Sequence, residues 1–253
     1  MDLHLTGKVA LVTGGSRGLG AGLCRGLAAE GAHVAINYLG RVHEAEELAA
    51  EINGTGVARA IAVQGDVASN DDVERMIRET EQAFSRIDIL VNNAGISPVG
   101  FVTDISEEDW RRTLDVNLTG TFLTSRALVR RWIATGHPGR IVNIVSQAAF
   151  NGSATGKAHY AASKAGVVAF TVSLAQEVAQ YGILVNAVAP GMVLTEATAE
   201  TLTVNADRYR QRILLGRVGE AEEVANVVTF LASDRARYMT GATVDVSGGM
   251  LLR

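Results

Sequence analysis

Short runs of β-branched and aliphatic residues alternate with longer stretches of helical period along the whole chain, and this rhythm leaves few folds open. The short runs cover residues 9–13, 33–37, 58–63, 87–92, 140–146, 184–188 and 242–246. The helical stretches cover 18–30, 42–52, 70–84, 107–133, 158–180 and 221–232. Runs that are apolar throughout are strands buried on both faces, as in a parallel sheet. Strands alternating with helices predict one doubly wound α/β domain of about seven parallel strands, with helices on both faces and right-handed crossovers. No shift in composition marks a linker, so residues 1–253 read as a single domain. The polar stretch 195–219 breaks the rhythm just beyond a strand's carboxyl end. Residues 191–219 are therefore expected to form a substrate-side lid, with a surface helix pair as the plainer alternative.

Helix starts are legible in two places. Ser69 or Asn70 can cap the helix that carries Asp71 and Asp72 in its first turn, and Ser106 precedes Glu107, Glu108 and Asp109 in the same way.

Composition then excludes several partners. A formal net charge of -4 gives no basic footprint for nucleic acid. No apolar run reaches the ~20 residues that span a bilayer, and the first ten residues, with Asp2 among them, do not read as a secretory signal. Cys24 is the only cysteine, so no internal disulfide can form and a cytoplasmic location is expected. Cys24 lies between Leu23 and Leu27 on a helical stretch and reads as a core residue. His43 to Glu47 lacks the second histidine of a zinc helix, and no metal site is expected.

The first strand runs into Thr13-Gly14-Gly15-Ser16-Arg17-Gly18-Leu19-Gly20. Glycines let the backbone turn sharply and approach a ligand, and the N-terminus of the following helix offers free N–H groups and a positive dipole end. Together they predict a pyrophosphate site built from Gly14, Ser16, Arg17, Gly18, Leu19 and Gly20. Gly20 is followed by Ala21, which disfavours a Walker phosphate loop. Gly14 to Gly18 also fits the Gly-x-Ser-x-Gly nucleophile elbow, which keeps a serine esterase using Ser16 as a remote alternative. The second strand ends in Asn37, with Arg41 shortly after and no acid to hold ribose hydroxyls. Arg17 and Arg41 would suit a 2′-phosphate, so NADP(H) is the expected cofactor.

Tyr160 and Lys164 stand four apart, on one face of a helix. A phenol of pKa ~10 is a poor acid–base group at neutral pH unless a neighbouring cation favours its phenolate. Ser146 falls at the carboxyl end of an apolar strand, where open α/β sheets bind ligands.

With these residues in view, the chain resembles the short-chain dehydrogenase/reductases over nearly its whole length. The matching positions are Thr13 to Gly20, Asp66-Val67, Asn92 to Gly95, Asn117, Ser146, Tyr160 with Lys164, and Pro190-Gly191 with Thr195. Within that family it is most similar to the 3-oxoacyl-[acyl-carrier-protein] reductase group, through Gly139 to Asn143, Ala189 to Gly191 and the ending from Thr240 through Met250.

The resemblance implies a Rossmann-like fold and a hydride transfer that interconverts a ketone and a secondary alcohol. Tyr160 would be the general acid or base. Lys164 would lower the pKa of Tyr160 and hold ribose hydroxyls, and Ser146 would orient the substrate oxygen. Asn117 would hold a relay water. Asp66 and Val67 would meet the adenine; Asn93, Ala94 and Gly95 would meet the adenosine ribose. Pro190, Gly191, Val193 and Thr195 would flank the nicotinamide. The implied substrate is a small carbonyl or alcohol, favoured as a 3-oxoacyl thioester that can be carrier-bound. A sugar, polyol, steroid or small-ketone dehydrogenase is the alternative, and a non-catalytic dinucleotide sensor would not need Tyr160. The resemblance also implies a homotetramer. Ser146 precedes Tyr160 by 14 residues, about one more than is usual in the family. The extra residue reads as a loop insertion that reshapes the substrate mouth and spares the catalytic groups.

Overall fold

Seven strands form one parallel sheet in the computed structural model, which describes residues 2–252. They are β1 (Val9–Val12), β2 (His33–Tyr38), β3 (Ala60–Gln64), β4 (Ile89–Asn92), β5 (Arg140–Ile144), β6 (Leu184–Pro190) and β7 (Thr243–Val246). Their spatial order is β3-β2-β1-β4-β5-β6-β7. All seven coincide with the apolar runs read from the sequence. The chain builds outward from β1 to β3, then returns to place β4 on the other side of β1. That reversal opens a crevice beyond the carboxyl ends of β1 and β4, where doubly wound sheets bind ligands.

The helices are α1 (Gly18–Ala29), α2 (Val42–Gly54), α3 (Asn70–Phe84), α4 (Glu107–Leu114), α5 (Gly120–Thr135), α6 (Ala148–Asn151), α7 (Ala158–Val178), α8 (Glu196–Arg212) and α9 (Ala221–Ala232). Period-two alternation sends neighbouring side chains of β1 to opposite faces. Ala10 and Val12 join a core with Leu23 and Leu27 of α1 and Val228 and Leu231 of α9. Leu11 joins the other core, with Met76 and Ile77 of α3 and Leu128 and Trp132 of α5. Cys24 is fully buried in the first of these, as expected, with Sγ 3.7 Å from the Gly15 carbonyl. Burial pushes its thiol pKa up.

Both expected caps form: Ser69 Oγ accepts from Asp72 N at 3.3 Å and Ser106 Oγ from Asp109 N at 3.0 Å. The stretch 107–133, read as one helix, is instead interrupted by a π-helical turn, Asp115–Thr119, between α4 and α5. Such a wide turn shifts the register of the side chains it carries and recurs at functional sites; here it carries Asn117.

In the segment 191–219, α8 is broken at Asn205, whose backbone is non-helical (φ -122, ψ 23), so the stretch is two helical pieces joined at a kink, in keeping with the helix-pair alternative. Its ends are pinned together. Leu194 N donates to Gly219 O at 2.8 Å and Gly219 N to Met192 O at 3.0 Å. Among the described residues, no helix is long and apolar enough to cross a membrane.

Candidate active site

The glycine loop is braced from both neighbouring strands. Thr13 Oγ1 accepts from the backbone N–H groups of Asn93 and Ala94, each at 3.0 Å. The Asn93 amide nitrogen donates to the carbonyls of Thr13 (3.0 Å) and Gly14 (2.9 Å). From β2, Asn37 Oδ1 accepts from Gly14 N at 3.1 Å and the Asn37 carbonyl from Gly15 N at 2.8 Å. The Asn37 amide nitrogen donates into the fold, to the carbonyls of Val63 and Gly65 among others. Asn37 and Asn93 therefore border the cleft, with both amide nitrogens and the Asn37 amide oxygen used in shaping it.

Gly14 has φ +61, and a Cβ there would press on Ala94. A Cβ on Gly20 would collide with the Gly14 carbonyl, so α1 can approach the loop only with glycine at that position. The first turn of α1 has no side-chain cap and no acidic residue, which leaves its N–H groups and positive end open to an anion.

Above this loop lies a cleft of about 640 Å³, within the size range of small-molecule and cofactor sites. Its walls include Gly14, Ser16 to Gly20, Asn37, Arg41, Asp66, Val67, Asn93 to Gly95, Ser146, Tyr160, Lys164, Pro190, Gly191, Val193 and Thr195. Of the site residues read from the sequence, only Asn117 lies outside them. The loop, the uncapped helix and this elongated cleft fit a dinucleotide. None of the chain's five histidines borders the cleft, so Ser16 has no imidazole base and the esterase reading has no support.

Sequence reasoning missed Arg112 and Glu196. Arg112 Nη2 pairs with Asp66 Oδ2 at 3.1 Å on the cleft wall, while Asp66 Oδ1 accepts from Ala68 N. Glu196, at the start of α8, lies 3.3 Å from Arg17 Nη1. Arg41 pairs with Glu44 at 2.8 Å.

At the far end of the cleft β5 delivers Ser146, and the first turns of α7 deliver Tyr160 and Lys164. The Tyr160 phenol and Ser146 hydroxyl are hydrogen-bonding neighbours, and Ser146 Oγ also accepts from Ala148 N at 3.2 Å. The chain between Ser146 and α7 is taken up by α6 and by Gly152 and Gly156, at φ +68 and +71. Gly156 O accepts from Gly100 N at 2.8 Å, which ties this loop to the one after β4.

Lys164 is buried, and burial pushes its pKa down to about 8. Its Nζ donates to the Ile144 carbonyl at 2.7 Å and lies 5.9 Å from the Tyr160 ring centroid. Lys164, expected to lower the pKa of Tyr160, is not among the groups that shift it. Burial raises the phenol above its ordinary value, and the Ser146 contact opposes that rise. The same burial disfavours the ammonium that was to do the lowering.

Asn117 is fully buried behind this corner. Its Oδ1 accepts from Ile96 N at 2.8 Å, and its Nδ2 donates to Ile96 O (2.9 Å) and Ser163 Oγ (3.0 Å). The side chain clamps the loop after β4 to α7; both amide hydrogens are used, while Oδ1 keeps a second lone pair.

A cleft of this form, ending in an acid–base corner, defines a dinucleotide-dependent oxidoreductase. A family model described as enoyl-(acyl carrier protein) reductase matches residues 14–251. The chain belongs to this family of short-chain dehydrogenase/reductases. It is 46% identical to the 3-oxoacyl-[acyl-carrier-protein] reductase of Synechocystis sp., covering 98% of each chain. It is 42% identical to the Aquifex aeolicus protein of the same name, over 99% of this chain and all (100%) of that one. Among solved structures it resembles a provisionally assigned gluconate dehydrogenase from Agrobacterium tumefaciens, with TM-score 0.93, 33% identity, and 99% of this chain and 98% of that one covered.

Proposed function

We propose that this chain reduces the keto group of a 3-oxoacyl thioester, presented on an acyl carrier protein, with NADPH as reductant. The observation that carries this reading is the meeting of the Ser146 and Tyr160 hydroxyls at the carboxyl end of the sheet, with Lys164 behind them. When bound, NADPH would supply the hydride for the carbonyl carbon. Ser146 donates a hydrogen bond to the substrate oxygen and fixes its direction. Tyr160 donates the proton that turns this oxygen into a hydroxyl; in the reverse direction it removes it. Lys164 spends one donor on Ile144 and keeps two for ribose hydroxyls. Arg17 and Arg41 receive the 2′-phosphate, Asp66 and Val67 border the adenine, and Ala94 and Gly95 the adjoining ribose. Pro190 to Thr195 flank the nicotinamide as the base of a lid spanning 191–219. Asn117 holds the corner together.

Exposed apolar side chains on segments beside the cleft, among them Val99, Phe101, Val102 and Leu194, favour an acyl chain over a polyol. The curated relatives' names agree with that substrate. A sugar-acid or polyol dehydrogenase is the second reading, favoured by the gluconate-dehydrogenase neighbour. The partly exposed Trp110 and Phe122 suit subunit contacts in a homotetramer, and a cytoplasmic location follows from a carrier-bound substrate. The test is loss of absorbance at the reduced-nicotinamide band with acetoacetyl thioesters, ketones and keto-sugar acids, each with NADPH and NADH. At least tenfold higher kcat/KM for NADPH with the thioester is expected. Preferential turnover of sugar acids would establish the second reading.

A further inference from the structure

Glu196 is a carboxylate in a place where the proposed cofactor would put a phosphate. It is the first residue of α8, and its Oε2 lies 3.3 Å from Nη1 of Arg17, 179 positions earlier on the opposite side of the cleft. Both residues border the cleft. The hydrogen bond and charge of Glu44 and, more weakly, the charge of Glu196 raise the pKa of Arg41, so Glu196 lies close enough to act on that guanidinium as well as pairing with Arg17. Among the described residues, the only other carboxylate on the cleft wall, Asp66, is held by Arg112. The Glu196–Arg17 pair is solvent-exposed, with 66% and 47% of the side chains accessible, and such a pair adds little to stability. Its consequence is competition for one guanidinium.

We propose that Glu196 is a specificity-determining residue that occupies Arg17 until a 2′-phosphate displaces it, and so sets how strongly NADPH is preferred over NADH. This inference rests on the reading that Arg17 receives the 2′-phosphate. An incoming phosphate carries close to two negative charges and accepts a bidentate guanidinium. It must break the pair and then bear repulsion from the carboxylate it has displaced. NADH brings a hydroxyl to that position and meets neither cost. Glu196 therefore weakens NADPH binding selectively, and displacing it frees the first turn of α8 from the glycine loop.

The test is titration of the protein with NADPH and with NADH, read by nicotinamide fluorescence, for the unmodified chain, Glu196→Gln, Arg17→Ala and the double variant. Glutamine keeps the size of an exposed side chain, so folding is not at stake. Glu196→Gln is expected to tighten NADPH about fivefold, roughly 1 kcal/mol, with NADH changed less than about twofold. In the Arg17→Ala background the same change should shift NADPH by less than about twofold, because the contested group is gone. If Arg17→Ala weakens NADPH selectively and Glu196→Gln leaves it unchanged or weaker, the role of Glu196 is overturned while the phosphate site stands. If Arg17→Ala leaves the NADPH-to-NADH ratio unchanged, both fall.

Discussion

The Lys164 ammonium lies 5.9 Å from the Tyr160 ring centroid and donates to the Ile144 carbonyl at 2.7 Å. Lysine and tyrosine are thus adjacent in the cleft while the lysine is anchored to the sheet. Burial works on the two groups in opposite directions: Lys164 is brought down to about 8 and Tyr160 is held above its ordinary value. The rise keeps the Tyr160 hydroxyl protonated, the state of a proton donor, while Lys164 at about 8 still carries its ammonium at neutral pH.

Tyr160→Phe removes the proton donor and nothing else from the cleft wall. Turnover is expected to fall by about 10³-fold or more, in line with loss of a general acid, with NADPH affinity within about threefold of the unmodified chain. Full turnover in stopped-flow or steady-state assays would remove the mechanism.

Ser146→Ala deletes one of the two hydroxyls aimed at the substrate oxygen. A loss of about 10²-fold in kcat/KM is expected, the scale of one oriented donor. The loss should fall on kcat/KM for every ketone tested, since the oxygen is common to all of them.

The depressed lysine has a consequence for stability. Above pH 8 the folded protein has released a proton that the unfolded chain keeps until about 10.4. The unfolded state then binds more protons, so unfolding free energy rises with pH between about 8 and 10. Above 10 the raised Tyr160 acts in the other direction. Urea unfolding at pH 7, 8, 9 and 10 should show the unmodified chain gaining on Lys164→Met by ~2 kcal/mol across the upper steps. A difference that stays flat with pH would show that Lys164 keeps an ordinary pKa.

Asn117→Ala strips partners from Ile96 N, Ile96 O and Ser163 Oγ in a buried place. Each orphaned group costs about 1–3 kcal/mol, so a loss of several kcal/mol in denaturant unfolding is expected along with reduced turnover. Unchanged stability with lost activity would point instead to a catalytic role for the amide.

Arg112→Ala should weaken NADPH and NADH alike, by a few-fold each, because its partner Asp66 borders the part of the cleft assigned to the adenine that both cofactors share. A selective effect on NADPH would place Arg112 at the phosphate instead.

The sheet was readable because a strand buried on both faces leaves a continuous apolar run, most clearly in β1 and β4, buried at every position, and least in β7, Thr-Val-Asp-Val with none buried. Ser69 and Ser106 were readable because a cap is a local event. The glycine loop was readable because only glycine tolerates such closeness to α1. What stayed hidden depends on tertiary neighbours. The side chains of Asn37 and Asn93 sit where a ligand would be, and sequence position alone does not show that the loop consumes them. Arg112 is 46 residues from Asp66 and Glu196 is 179 from Arg17, with no local signature linking either pair. The π-turn at Asn117 is continuous with α4 and α5 and has no breaker residue, so the stretch read as one helix. The lysine–tyrosine spacing gave their shared helix face correctly, but burial, which reverses the expected shift of the phenol, belongs to the folded state.

The pairing of residues 192–194 with Gly219 joins the two ends of the excursion between them, and Leu215 N donating to Gly248 O and the Arg17–Glu196 pair tie it to the body of the fold. Residues 199–212 of the excursion lie off the cleft wall, apart from Ser146, Tyr160 and Lys164, and are the part of it whose sequence is freest to change. A catalytic chassis that stays constant beneath an exchangeable cover is a direct route from one carbonyl substrate to many.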